Sequence, residues 1–303
     1  PFVATSPYFH SLLILTGIFC LLAVGLDLMM GYTGIISFGH AAFFALGAYT
    51  AGILTVNFGW PLALTLPMAM LTAMLCGLVI GLATIRIGGI YFALASLGFA
   101  EIIRLVALNW TGVTRGPMGL VLDPMELYLV GSIPLRGDYM FYYLILFFVL
   151  ASLFLIYRMR ESWVGRTLLS IRENESLASS IGVNPVPYKV AVITVGGILA
   201  SIAGVFYGYY YSLITPEVAG VHYTAISLLA VMVGGRGTLA GPVLGAVIFT
   251  LVPEFIPGSL SDFIFGAILL CVILSAPSGV APVLARLFHN LKQSVVKPKD
   301  RAM

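Results

Sequence analysis

Long apolar runs, with scarcely a charge inside them, fill most of this chain. A helix needs roughly 20 such residues to cross the hydrocarbon core of a bilayer. Hydrophobic residues make up 60% of the sequence and charged residues 9%, against about a quarter charged in a soluble domain. So few charges cannot cover a water-soluble fold of this size, whereas lipid is a solvent that needs no such cover. The runs are unbroken rather than alternating, which argues against a membrane β-barrel. The expected fold class is all-α, a polytopic integral membrane protein forming one domain over residues 1–303. That length leaves room for about eight to ten transmembrane or re-entrant helices.

The runs cover residues 11–30, 35–56, 61–86, 90–108, 139–157, 190–214, 223–233, 243–252 and 263–274. Glycines mark two breaks: Gly31-Tyr32-Thr33-Gly34 after the first run, and Gly234-Gly235-Arg236-Gly237 between the two short ones. Lys and Arg concentrate in loops that stay on the cytoplasmic side. Segment 158–189 holds Arg158, Arg160, Arg166, Arg172 and Lys189, and the tail 282–303 holds Arg286, Lys292, Lys297, Lys299 and Arg301. Both are expected in the cytoplasm. The loop 109–138 sets Arg115 and Arg136 against Asp123, Glu126 and Asp138, and is expected outside. Between segment 158–189 and the tail the chain must then cross an even number of times. Runs 223–233 and 243–252 satisfy this either as two spans or as one re-entrant hairpin. No cleavable signal peptide is evident, and the start at Pro1 rather than Met points to a removed upstream segment.

A short internal echo links the two Gly-marked regions. Residues 39–48 align without gaps to 237–246, agreeing at Gly39/Gly237, Ala42/Ala240, Leu46/Leu244, Gly47/Gly245 and Ala48/Ala246. Corresponding Gly-interrupted segments in two halves point to a substrate path near the membrane midplane. The candidate pathway residues are therefore Thr33, Gly34, Ser37, Gly39, His40, Gly234, Gly235, Gly237, Thr238 and Gly241. Both segments have one orientation by the loop charges, so an inverted repeat is not indicated. The glycine pairs Gly77/Gly81, Gly204/Gly208 and Gly241/Gly245 are four apart, a spacing that lets a neighbouring helix approach closely.

Reactive chemistry is sparse. Cys20, Cys76 and Cys271 sit in separate runs with no metal or redox spacing. Gly234-Gly235-Arg236-Gly237 lacks the Gly-Lys-Ser/Thr ending of a phosphate loop. His40 reads as a hydrogen-bonded packing residue, and Asp27, near the end of the first run, as interfacial. Glu101 and Arg104 are three apart and share a helix face, where they can pair. No cofactor or metal is expected in the chain itself.

Segment 158–189 is the most informative. Ser170 with Glu173 fits a capping box, Glu173 and Glu175 suit a first helical turn, Gly182 suits its end, and Pro185 stops continuation. These residues predict a short helix of two to three turns lying against the membrane. Its Glu175, Ala178 and Gly182 form a Glu-x-x-Ala-x-x-x-Gly pattern that resembles the coupling helix of ATP-binding-cassette importer permeases. Arg172-Glu173-Asn174-Glu175 with Ala178 and Gly182-Val183 resembles the branched-chain amino-acid permease family more closely. So do the stretches from Gly31 to Tyr49 and from Gly234 to Pro242. The likeness spans most of the chain and is strongest for the M-type permease of the Liv importers. Permeases for urea and short amides in the same importer family are similar.

The resemblance implies a half-channel without catalytic residues. A second homologous permease subunit would complete the path. Two cytoplasmic ATPase subunits, binding ATP and Mg, would dock on Arg172, Glu173, Asn174, Glu175, Ala178 and Gly182. A periplasmic binding protein would deliver a branched-chain amino acid to the bacterial inner membrane. The rival reading from the residues, a stand-alone secondary transporter, lacks its usual row of intramembrane carboxylates. A membrane enzyme lacks a cluster of His, Asp, Ser or Cys.

Overall fold

The computed structural model describes residues 7–84, 89–122, 128–130, 133–134, 138–252, 266 and 279–283. The run 263–274, residue 266 apart, lies outside the described residues, as do Cys271 and all of the basic tail beyond 283.

Among the described residues, six helices are long and apolar enough to cross a membrane: α1 (Pro7–Thr33), α2 (His40–Phe58), α3 (Leu62–Thr84), α4 (Ile90–Asn109), α6 (Asp138–Glu161) and α9 (Pro185–Tyr211). Between them lie α5 (Thr111–Thr114), α7 (Trp163–Glu173) and α8 (Glu175–Ser180), and after them α10 (Val221–Gly234) and α11 (Gly241–Leu251). The expected all-α polytopic class holds. Among the described residues, four strands of two or three residues add to it beside the loops: β1 (Leu120–Val121), β2 (Tyr128–Val130), β3 (Ile133–Pro134) and β4 (Leu213–Ile214). β1 pairs antiparallel with β4, tying the 109–138 loop to the end of α9.

Local chemistry sets the helix ends. Gly59 closes α2 in the left-handed conformation at φ 63°, where its N–H bonds the Thr55 carbonyl. Asn184 caps α9 through its side-chain oxygen, and Pro185 sits at the first helical position, where its missing N–H costs nothing. The first break falls later than the 31–34 motif suggests. α1 continues to Thr33, whose hydroxyl donates to the Met29 carbonyl at 2.6 Å. Only Gly34, at φ 72°, leaves the helix. Tyr32 and Thr33 are buried, so tertiary packing holds the last turn that the glycines alone would have ended.

α1, α2 and α9 form the buried centre, whereas α3, α4 and α6 flank it with most of their surface open. Small residues let the centre close up. A side chain at Gly47 would meet the Ser201 carbonyl, one at Gly204 the Phe44 carbonyl, and one at Gly25 the Gly196 carbonyl. The predicted packing of Gly77 and Gly81 is observed against Thr194 and Val190 of α9. α10 and α11 are about 21 Å and about 16 Å long, short of the ~30 Å hydrocarbon core. They lie side by side, with Gly234 against Gly241 and Gly245 against Ala230. Over the described residues they form a compact helical hairpin.

Candidate functional site

The two glycine-marked breaks meet one another beneath α7. Residues 34–39 connect the end of α1 to the start of α2, and His40 at that start lies level with Leu22, its Nε2 donating to the Leu22 carbonyl at 3.1 Å. Leu22 is eleven residues before Thr33, about 16 Å along the axis. The connecting segment therefore climbs back into the bundle and α2 begins at depth. A helix start buried there leaves orphan N–H groups that must find partners. Thr224 Oγ1 of α10 accepts from Ala41 N at 3.0 Å, and Ser96 Oγ of α4 accepts from Phe38 N at 3.0 Å. Ser37, Gly39 and His40 are buried in protein, and a side chain at Gly39 would meet the Ser96 carbonyl. Gly34, Ile36 and Phe38 are the exposed members of this break. His40 is fully buried and hydrogen-bonded through Nε2.

The second break, 235–240, is held from two sides. Gly235 and Gly237 adopt φ 117° and φ 71°, conformations that favour glycine. Thr238 Oγ1 donates to the Gly235 carbonyl at 2.7 Å and accepts from Gly241 N at 3.0 Å, which fixes the start of α11. Gly237 N donates to Asp27 Oδ1 at 2.7 Å. Asp27 is 1% exposed. Its carboxylate lies inside the protein and satisfies a turn 210 positions away. The short helical segment at 279–283 returns to the same place, since Gly279 packs on Gly235.

α7 and α8 sit at this end of the bundle. Ser162 caps α7 by accepting from Gly165 N, and α7 buries Gly165, Leu168 and Ile171 along one face. The capping box expected at Ser170 and Glu173 does not form. The amphipathic helix runs straight through Ser170, whose hydroxyl instead donates to the Thr167 carbonyl at 2.8 Å. Asn174 takes over as the cap of α8, accepting from Leu177 N at 2.9 Å. α8 has six residues, shorter than the two to three turns expected. It closes on Gly182 at φ 91°, with Val183 N bonded to the Ala178 carbonyl and Gly182 N to the Ser179 carbonyl, the paired pattern of a Schellman motif. Ala178 is buried beneath α8, and Lys189 of α9 pairs with Glu175 at 2.6 Å.

Arg172, at the end of α7, joins these parts. Its Nη1 donates to the Gly31 carbonyl at 2.5 Å, and its Nε and Nη2 face Glu173 at 3.3 and 2.8 Å. The same guanidinium lies against Gly237, and its stem against Gly34. One side chain therefore touches both breaks. Beside it is a cavity of about 510 Å³ with Thr33, Gly34, Ile36 and Phe38 on one side, Ile90 and Phe92 of α4 on another, and Arg172, Glu173, Asn174, Glu175 and Lys189 at its rim. Such an arrangement can pass a displacement of α7 and α8 to both interrupted segments.

Comparison with known proteins agrees with this architecture. Residues 8–273 match the family described as branched-chain amino acid transport system / permease component. The chain belongs to that family. It is 29% identical over 292 residues to the high-affinity branched-chain amino acid transport system permease protein LivM of Escherichia coli K12, covering 89% of this chain and 69% of that one. LivM of Salmonella typhimurium is 27% identical with the same coverage. LivH of Escherichia coli K12 is 25% identical over 281 residues, covering 86% of this chain and 90% of LivH. No solved structure matches the chain significantly.

Within this permease family the described residues bring together most of the sequence-derived candidates. Arg172, Glu173, Asn174 and Glu175 line one cavity with Thr33 and Gly34, while Gly237 touches Arg172 and Asp27 and Thr238 braces the turn from Gly235 to Gly241. Ser37, Gly39, Gly234, Gly235 and Gly241 serve close packing. No group of three or more His, Cys, Asp or Glu able to hold a metal occurs among the described residues. Sequence reasoning missed Leu177 and Ile181, which stand 62% and 72% exposed on and just beyond α8. Their i, i+4 spacing beside the Ala178 anchor was the available signal. Glu217 was also missed, since only the fold carries it to Arg104.

Proposed function

We propose that this chain is the permease subunit of an ATP-driven importer that moves branched-chain amino acids across the bacterial inner membrane. Supporting this reading are its family, its helical membrane fold and, above all, the contact of Arg172 with both interrupted segments. A second, homologous permease subunit completes the translocation path. Two ATPase subunits hold ATP and Mg on the cytoplasmic side, and this chain hydrolyses nothing. A periplasmic protein delivers the amino acid. Segment 158–189 and the basic tail lie in the cytoplasm.

The coupling unit is α7 with α8. Leu177 and Ile181 offer apolar contact to an ATPase groove, and the Gly182 turn fixes their presentation. ATPase dimer closure binds one orientation of this unit better than another, and that difference in binding shifts the permease between its states. Arg172 carries the shift to the end of α1 and to the 235–240 turn. Asp27 ties that turn to α1, so the two segments move together.

The test is reconstitution of the chain in liposomes with the partner permease, both ATPases and the binding protein. Leucine uptake should require ATP and all components, with isoleucine and valine competing and urea not. Ion-gradient-driven uptake by this chain alone would overturn the reading, and urea uptake without response to leucine would overturn the substrate.

A further inference from the structure

α4 carries a charge cluster that the coupling machinery does not use. Glu101 is the twelfth of the helix's twenty residues, about 16 Å from its start, and Arg104 is one turn further. Arg104 grips Glu101 with Nη2 at 2.6 Å and Nε at 2.9 Å. From the turn at Pro216–Ala219, Glu217 reaches the remaining Nη1 at 3.5 Å. Exposure increases outward, with side chains 26% open at Arg104, 49% at Glu101 and 76% at Glu217.

Ionisable groups inside membrane helices face a bundle interior or a water-filled cavity rather than lipid. This cluster faces out of the single subunit, so in the assembly another surface or an aqueous path must lie against it. It contributes little to the fold itself. One ion pair joins neighbours on a single helix, and the other is at the limit of a hydrogen bond.

We propose that Glu101, Arg104 and Glu217 form a contact site for the charged head of an α-amino acid, on the face of the path between the two permease subunits. The inference rests on the importer reading above and deepens it. Glu101 fixes the plane of the guanidinium through two hydrogen bonds, and Nη1, met only by Glu217 at 3.5 Å, can exchange that partner for a substrate carboxylate. Glu217, held only loosely, accepts from the substrate ammonium. The guanidinium and a carboxylate of the cluster thus offer one partner of opposite sign to each charge of the zwitterion. Gly98, one turn before Glu101 on the same face, has open space where a side chain would be. Exposed Leu94 and Leu105 lie on the same stripe, giving apolar surface beside the charges for an aliphatic side chain. A neutral amide lacks both charges and gains neither contact.

The reconstituted complex tests the site in two ways. Glu217→Gln and Arg104→Lys should each lower ATP-dependent leucine uptake at least tenfold, with the partner permease and ATPases still co-purifying and ATP hydrolysis retained. Gly98→Cys should react with a small cationic thiol reagent in the assembled complex, and leucine-loaded binding protein with ATP should slow that reaction. Wild-type uptake in Glu217→Gln, loss of subunit assembly in that variant, or an unreactive Gly98→Cys would each overturn the proposal. Failure of the wild-type complex to take up leucine would instead sink the importer reading itself.

Discussion

The Arg172 guanidinium donates to the Gly31 carbonyl at 2.5 Å across 141 positions of sequence, joining α7 to the last turn of α1. A hydrogen bond from a charged donor contributes about 1.5–3 kcal/mol. Arg172→Ala should therefore lower the melting temperature modestly and reduce uptake by about tenfold or more, while ATP hydrolysis continues in the assembled complex. Arg172→Lys keeps a cation without the fork, and should recover only part of the uptake. Parallel assays of uptake and phosphate release check this. Equal loss of both activities would point to failed docking rather than failed transmission.

Gly182 closes α8 at φ 91° with nothing near its missing side chain. An L-residue there costs about 1–2 kcal/mol of backbone strain, which undoes the turn rather than the bundle. Gly182→Arg should leave the protein in the membrane yet abolish ATPase co-purification, and Gly182→Asn should restore much of it. Leu177→Asp and Ile181→Asp should weaken the same association with the turn intact. Co-purification assays read all four variants.

The first break divides into exposed and buried members, and thiol labelling should follow that division. Phe38→Cys, at an exposed position, should react with a small water-soluble reagent. Ser37→Cys, at a position 2% exposed, should resist it in the nucleotide-free complex. If ATPase closure reopens the segment, Ser37→Cys becomes reactive with a non-hydrolysable nucleotide. Labelling Ser37→Cys faster than Phe38→Cys without nucleotide would contradict the observed burial.

Close packing around α9 sets a sharp contrast in stability. A methyl at Gly204 would enter the Phe44 carbonyl, whereas one at Gly112 meets nothing within 4 Å. Gly204→Ala should cost about 1–3 kcal/mol through overpacking, lowering the detergent melting temperature by several degrees. Gly112→Ala should leave it within a degree or slightly raise it. Thermal unfolding in one detergent compares them directly.

Local features of the chain were legible where one residue type decides them. Gly182 at the end of α8, Pro185 barring its continuation and the glycine pair packed on Thr194 and Val190 follow from backbone freedom and side-chain size alone. Ser170 shows where local reasoning fails. Its capping pattern is sound in isolation, but the apolar face of α7 buries Leu168 and Ile171 and extends the helix past it. Packing of an amphipathic face outweighs a single cap.

By itself the sequence determined the solvent of this protein, its helical class and the place of the short helix that ends at Gly182. Long apolar runs cannot be satisfied in any other way, and a helix meets its backbone needs within its own run. Tertiary structure alone decided which breaks are open, that Asp27 belongs to Gly237, and that Glu217 belongs to Arg104. Those pairings cross 210 and 113 positions. No local pattern encodes them, because they depend on how whole helices cross and on which small residues let them approach.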